Sequence, residues 1–109
     1  MTWYGNGGDD NRITGLEYCT IDGTWVISGY GDDVTPELLS KLFVAKINGQ
    51  TGAVIDVYLY TSTSATIYTY DMAYHFLNNT DWFFVAFTIG DQLLGTQQDV
   101  GVLKVNYTI

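Results

Sequence analysis

One passage of this chain is written twice, and that constrains the fold more than any other feature. Trp25-Val-Ile-Ser-Gly-Tyr30 is followed by a polar loop and then Leu42-Phe-Val-Ala-Lys-Ile-Asn48. Trp82-Phe-Phe-Val-Ala-Phe87 is followed by a polar loop and then Val100-Gly-Val-Leu-Lys-Val-Asn106. The two Trp residues lie 57 positions apart (82 − 25) and the two Asn residues 58 apart (106 − 48). A period of this size marks a repeated supersecondary unit that does not bury its apolar face alone. The expectation is a single all-β domain of 109 residues made of two repeats, about 1–60 and 61–109.

Each unit reads as a run of short strands. Ile13–Ile21 is partly apolar on both alternating faces, as in a strand between two stacked sheets. Asp22-Gly23 signals a hairpin, because tight turns need positive φ. Strands are expected over Trp25–Tyr30, Leu42–Ile47 and Ala53–Tyr60, with Asn48-Gly49 as a second hairpin signal. Thr35 is placed to cap a short helical turn over Pro36–Lys41. In the second unit, Ile67–Leu77 supplies one or two strands, with Asp71–Leu77 open to a helical reading. Asn78-Asn79-Thr80-Asp81 replaces the Asp-Gly turn with one residue more, and strands follow at Trp82–Ile89 and Val100–Val105. The first unit thus has four strands and the second three. Met1–Tyr4, a short β-prone stretch, is the unmatched piece at the other end. An open strand edge invites pairing with a neighbouring subunit, so Trp3, Tyr4, Tyr107 and Ile109 are assembly candidates.

Composition limits the partners. Four basic and twelve acidic residues give a formal net charge of −8. Phosphate backbones repel such a surface, which argues against nucleic acid, and there is no Lys/Arg cluster for anionic lipid. No apolar run reaches the roughly 18 to 20 residues of a membrane helix, so membrane insertion is not expected. Met1–Gly5 does not read as a signal peptide: either the chain is cytosolic or a leader lies outside it. Cys19 is the sole cysteine, which excludes an internal disulfide framework and suggests a buried thiol.

The repeated motifs resemble the four-stranded blades of β-propeller repeat proteins, of the kind found in tandem on secreted and cell-surface proteins. Asp9, Asp10, Asp22, Gly23, Trp25, Val26, Ile27, Gly29, Tyr30, Val44, Lys46, Ile47, Asn48 and Gly52 carry the resemblance. The second copy keeps Trp82, Val85, Phe87, Leu103, Lys104, Val105 and Asn106, and has Ala86 in place of Gly29. The resemblance implies two blade-like antiparallel units, the second completed by a strand from a neighbour, because closed propellers use more blades than two. An eight-strand β-sandwich or barrel is the alternative.

No catalytic constellation stands out, and neither a cofactor nor a catalytic residue is assigned. The single histidine, His75, aligns with Cys19 across the repeat, so both read as packed side chains rather than a nucleophile pair. Lys46 and Lys104 match, which suggests a shared structural role. Arg12 is placed to pair with Asp9 or Asp10. Asn6, Asp9, Asp10 and Asn11, and separately Asp32 and Asp33, are oxygen-rich, yet neither run has the spacing of a calcium loop, and no metal is assigned. Asn78-Asn79-Thr80 and Asn106-Tyr107-Thr108 are glycosylation sequons at expected turns, which favours an extracellular or cell-surface location. Tyr58, Tyr60, Tyr68 and Tyr70 recur at spacing two, a packing surface or a platform for sugars. The expected function is a non-enzymatic structural protein that forms a homo-oligomer, ring or filament by strand complementation or sheet stacking. The alternative is a carbohydrate-binding, lectin-like module.

Overall fold

A computed structural model describes residues 10–19, 22–33, 39–62, 65–91 and 98–108. Seven strands are present among them: β1 (Asp10–Cys19), β2 (Thr24–Asp33), β3 (Leu39–Asn48), β4 (Val54–Ser62), β5 (Ala65–Leu77), β6 (Thr80–Asp91) and β7 (Gln98–Thr108). They form two antiparallel sheets, a four-stranded one in the order β1-β2-β3-β4 and a three-stranded one in the order β5-β6-β7. The chain passes from one to the other between Ser62 and Ala65. Met1–Tyr4 and Ile109 lie outside the described residues, as do Thr35 and the first half, Pro36–Leu38, of the helical turn expected at Pro36–Lys41; Leu39–Lys41 belongs to β3. Asp71–Leu77 is strand, not helix.

The turns follow from local chemistry. Gly23 takes φ +70°, and Asp22 closes the β1–β2 hairpin by accepting hydrogen bonds from the Thr24 N–H and hydroxyl. Asn78 and Asn79 both have positive φ, 53° and 57°, and Leu77 pairs with Thr80. This is a two-residue hairpin turn, for which Asn is among the few suitable non-glycine residues, and it is shorter than the sequence suggested. After Asn48 the loop is longer than a tight Asn-Gly turn. The Asn48 side chain accepts from the N–H groups of Gln50 and Thr51, and positive φ falls on Gly52 instead of Gly49.

The sheets stack face to face. Cys19, Val26, Leu42 and Val44 of the first sheet meet Ile67, Met72, Phe83 and Val85 of the second in one buried cluster. The molecule measures 44 × 30 × 17 Å, a thickness that leaves room for two layers and no third. β5 lies across β1, β2 and β3. Polar links hold it there: the Ile67 N–H donates to Ser40 Oγ at 2.9 Å, and the hydroxyls of Thr14 and Thr69 lie 2.6 Å apart. Gly15 allows this approach, since a Cβ there would collide with Ser28 Oγ and Met72 Cβ.

The two halves share a three-stranded meander, but their third strands differ in register. Trp25 is opposite Ile47, whereas Trp82 is opposite Asn106. The equivalent of Ile47 is therefore Asn106, an offset of 59 (106 − 47), while the repeated motif matches at 58. A slip of one residue reverses every side chain of a strand. Lys46 consequently points to the face shared with Val26 and Val44, and Lys104 to the outer face with Phe84. The expected equivalence of the two lysines does not hold. Nor does that of Cys19 and His75: Cys19 pairs with Thr24 and is fully buried, while His75 pairs with Trp82 on the exposed outer face of the other sheet.

Candidate functional site

Two features stand out, an apolar sheet face and a polar cluster at one end of the sandwich. The face is the outer side of the first sheet. Pairing residues share a face in antiparallel sheets. Trp25 and Ile27 therefore stand beside Tyr18 and Leu16 on one flank and Ile47 and Ala45 on the other. Phe43 lies next to Leu59, and Ala45 next to Val57. Ile27, Ala45 and Ile47 form a second small cluster with Phe43 packed against it. Gly29 is needed beside it, because a Cβ there would strike the Phe43 ring and the Arg12 carbonyl. The flanks of this patch face water: Ile13 is 57% exposed, Leu16 58% and Leu59 55%. Between Leu16 and Leu59 the residues of this face carry no charge; Lys41, opposite Gly31 and Thr61, and Asp33 follow toward one end of β2 and β3.

β4 extends the exposure. It is the edge of its sheet, and all of Val54–Thr61 is exposed on both faces. Long apolar edge strands are natural templates for pairing with another chain. β7, an edge strand of the second sheet, exposes Val100 and Val102. Between the two edges runs a groove of ≈ 290 Å³ lined by Asp56, Val57, Tyr58, Lys104, Val105 and Asn106.

The outer face of the second sheet has a cation beside its tryptophan. Lys104 Nζ sits 4.1 Å from the centre of the Trp82 ring, a cation–π contact. In the first sheet the matching Trp25 has Tyr18 beside it instead, ring centroids 4.8 Å apart.

The polar cluster gathers Cys19, Asp22, Thr24, Lys46, Tyr74 and Asp81. Cys19 closes β1, Asp22 sits in the following turn, and the β5–β6 hairpin brings Tyr74 and Asp81 from the second sheet. Lys46 Nζ forms an ion pair with Asp22 Oδ2 at 2.8 Å. Burial pushes the Asp22 carboxyl up, but the Lys46 and Thr24 hydrogen bonds and the Lys46 charge outweigh it and hold it below its ordinary value. Asp81 is fully buried; its Oδ1 accepts a hydrogen bond from the Tyr74 hydroxyl, while Oδ2 has no hydrogen-bond partner among the described residues. Burial, then the Asp81 hydrogen bond and charge, push the Tyr74 hydroxyl well above its ordinary range. Burial chiefly, with the charges of Asp81 and Asp22, raises the Cys19 thiol to about 11, although Thr24 and Lys46 pull the other way. Cys19 is thus a neutral thiol at pH 7 with no imidazole beside it.

The sequence-derived candidates are scattered. Asn78 is exposed at a hairpin turn, but Asn106 lies within β7 opposite Trp82, not in a turn. Tyr107 pairs through its backbone with Asp81. Trp3, Tyr4, Ile109, Asn6 and Asp9 lie outside the described residues. Asp10 is opposite Asp32 across β1–β2, which brings the two acidic runs onto neighbouring strands. Tyr58 and Tyr60 are on β4, Tyr68 and Tyr70 on β5 of the other sheet, and Tyr68 makes an edge contact with Tyr30 at 5.1 Å. Sequence reasoning missed the polar cluster. Its one signal was that Cys19 and the Asp22 turn adjoin, with Asp81 at the corresponding turn of the second half.

Among the described residues no helix is long and apolar enough to cross a membrane. Comparison of the chain with protein-family models, with curated proteins and with solved structures finds no match in any of the three. The functional reading therefore rests on the geometry of these two features.

Proposed function

We propose that the protein is a non-enzymatic structural subunit that assembles with copies of itself in an extracellular setting, through the outer face of the first sheet and its β4 edge. The observation that carries this reading is the apolar, nearly uncharged outer face spanning Ile13 and Leu16 to Leu59. Monomeric proteins rarely leave a contiguous apolar patch of this kind in water, and each half-exposed Leu, Ile or Val offers roughly 1 kcal/mol on burial. A second copy suits it on charge grounds. Two chains of net charge −8 repel each other unless they meet where acidic residues are absent, and the part of this face between Leu16 and Leu59 is such a place. In this reading the sheets are blade-like units, and the three-stranded one takes a fourth strand from a neighbour along β7. Stacking about a two-fold axis gives dimers; edge pairing that does not close gives filaments.

Sedimentation over a concentration series tests it, with Leu16→Lys and Leu59→Lys as variants on opposite flanks of the face. Both substitutions are at exposed positions and leave the fold intact. Association lost in both supports stacking, and association lost only in Leu59→Lys supports edge pairing. A wild-type chain that stays monomeric at high concentration removes the proposal.

A second reading, carbohydrate binding, is favoured by the groove between β4 and β7, where Tyr58 stands beside Asp56, Lys104 and Asn106. Aromatic faces flanked by polar groups suit sugar rings. A glycan panel that binds wild type and not Tyr58→Ala would favour it over assembly.

A further inference from the structure

We propose that Cys19, Asp22 and Asp81 form a site for a borderline-soft divalent cation of the zinc type, built where the two sheets meet at the β1–β2 and β5–β6 turns. One potential ligand atom from each residue lies within 4.8 Å of the others. Ligands of a tetrahedral zinc ion stand about 3.5 Å apart, given metal–ligand distances of about 2.0 to 2.3 Å. Closing the site thus needs side-chain shifts of about 1 Å, within reach of Asp22, which sits in a turn and is partly open to solvent.

Proximity alone does not make a site, and the decisive observation is the state of Asp81. Its side chain is fully buried, one oxygen is satisfied by Tyr74, and the other has no hydrogen-bond partner among the described residues. A buried carboxylate with an empty lone pair is costly unless a cation or donor meets it. The nearby cation, Lys46, is engaged with Asp22. A divalent ion beside Asp81 would supply the missing partner. The charges also close. A thiolate, two carboxylates, Lys46 and a dication sum to zero, whereas without the metal the carboxylates outnumber the lysine.

The donor set selects the ion. Calcium takes six to eight oxygen ligands, and magnesium keeps an octahedral oxygen shell; neither favours sulfur. Thiolate with carboxylate suits zinc, which accepts sulfur and oxygen together. Three protein ligands leave a fourth position for water. Tyr74, bonded to Asp81 Oδ1, orients that carboxylate as outer partners of metal ligands do. Binding here ties the β1–β2 turn to the β5–β6 turn and so clamps the two sheets, a role independent of whether copies associate.

The test is titration of the full, chelator-treated chain with Zn(II), followed by Co(II) as a spectroscopic probe. Zn(II) at a hundred times its dissociation constant is expected to raise Tm by roughly 10 °C. Co(II) is expected to show a thiolate charge-transfer band. Cys19→Ser abolishes that band and weakens Zn(II) binding at least tenfold, and Asp81→Asn, which keeps the Tyr74 hydrogen bond, weakens it at least tenfold. Lys46→Met binds Zn(II) no more weakly than wild type, because it frees Asp22. Zn(II) that leaves Tm unchanged, a Co(II) complex without the thiolate band, or binding that survives Cys19→Ser overturns the proposal.

Discussion

The two tryptophans that announce the repeat have different fates, and the contrast explains much of the molecule. Trp25 and Trp82 both stand on outer sheet faces. Trp82 is capped by the cation of Lys104; Trp25 is flanked by Tyr18 and apolar neighbours. The cause is the register of the third strand. In the first half the motif lysine points inward and pairs with Asp22; in the second it points outward over the ring. One residue of slip therefore leaves Trp25 among apolar neighbours and places a charge over Trp82. It also places a cation at the sheet–sheet boundary only on the first half's side. The sheet with the inward lysine is the one whose outer face we propose as the contact between copies.

The largest expected effect comes from separating the shared core from the outer face. Phe83→Ala, at a fully buried position between the sheets, should cost about 3 to 5 kcal/mol in urea unfolding. Phe43→Ala, on the half-buried outer face, should cost less than half of that in dilute solution and more once copies associate. Equal losses at the two sites would break the contrast between core and face. Next, Gly29→Val should cost about 2 to 3 kcal/mol, since its side chain collides with Phe43 and the β1 backbone. Ala86→Val, at the matching position of the second sheet, should stay within about 0.5 kcal/mol, because Ala86 is partly exposed on the outer face.

The lysines sharpen the comparison further. Lys46→Met should cost about 1 kcal/mol and Lys104→Met about 0.5 kcal/mol at pH 7, by urea midpoints. Only the first should depend on acid. Asp22 is held below its ordinary value of 3.8, so the pair contributes above that pH and is lost as the pH falls through the folded value. The shallowest effect is at the alkaline end. The Cys19 thiol is raised from 9.0 to about 11, so the folded state keeps a proton that the unfolded state loses. Its contribution is complete below pH 9 and declines as the pH rises towards 11. Thermal melts of wild type should fall across that window more steeply than those of Cys19→Ala.

The strands were legible because alternation and Asp-Gly or Asn-rich turns are local signals. Every expected strand core lies inside an observed strand, Ala53 aside, with Thr20–Ile21 outside the described residues. The register was not legible. Motif matching counts residues along the chain, while strand pairing counts hydrogen bonds across it: the β2–β3 and β6–β7 ladders run without a bulge yet sit one residue apart, and His75 faces Trp82 as Tyr18, not Cys19, faces Trp25. That is why Lys46 with Lys104, and Cys19 with His75, aligned in sequence and diverged in space. The polar cluster was hidden for a different reason: Cys19 and Asp81 are 62 positions apart (81 − 19), and only sheet stacking brings them together. The apolar outer face was half visible, since both faces of the first strands read as apolar, but covering by a second layer is the usual explanation of that pattern.

Hydroxyl-radical footprinting of dilute and concentrated protein tests the central claim most directly. Association through the first sheet predicts that Leu16, Tyr18, Trp25 and Leu59 become protected as concentration rises, while Tyr70 and Trp82 keep their reactivity. Unchanged labelling of Leu16, Trp25 and Leu59, or protection confined to Tyr70 and Trp82, would contradict it.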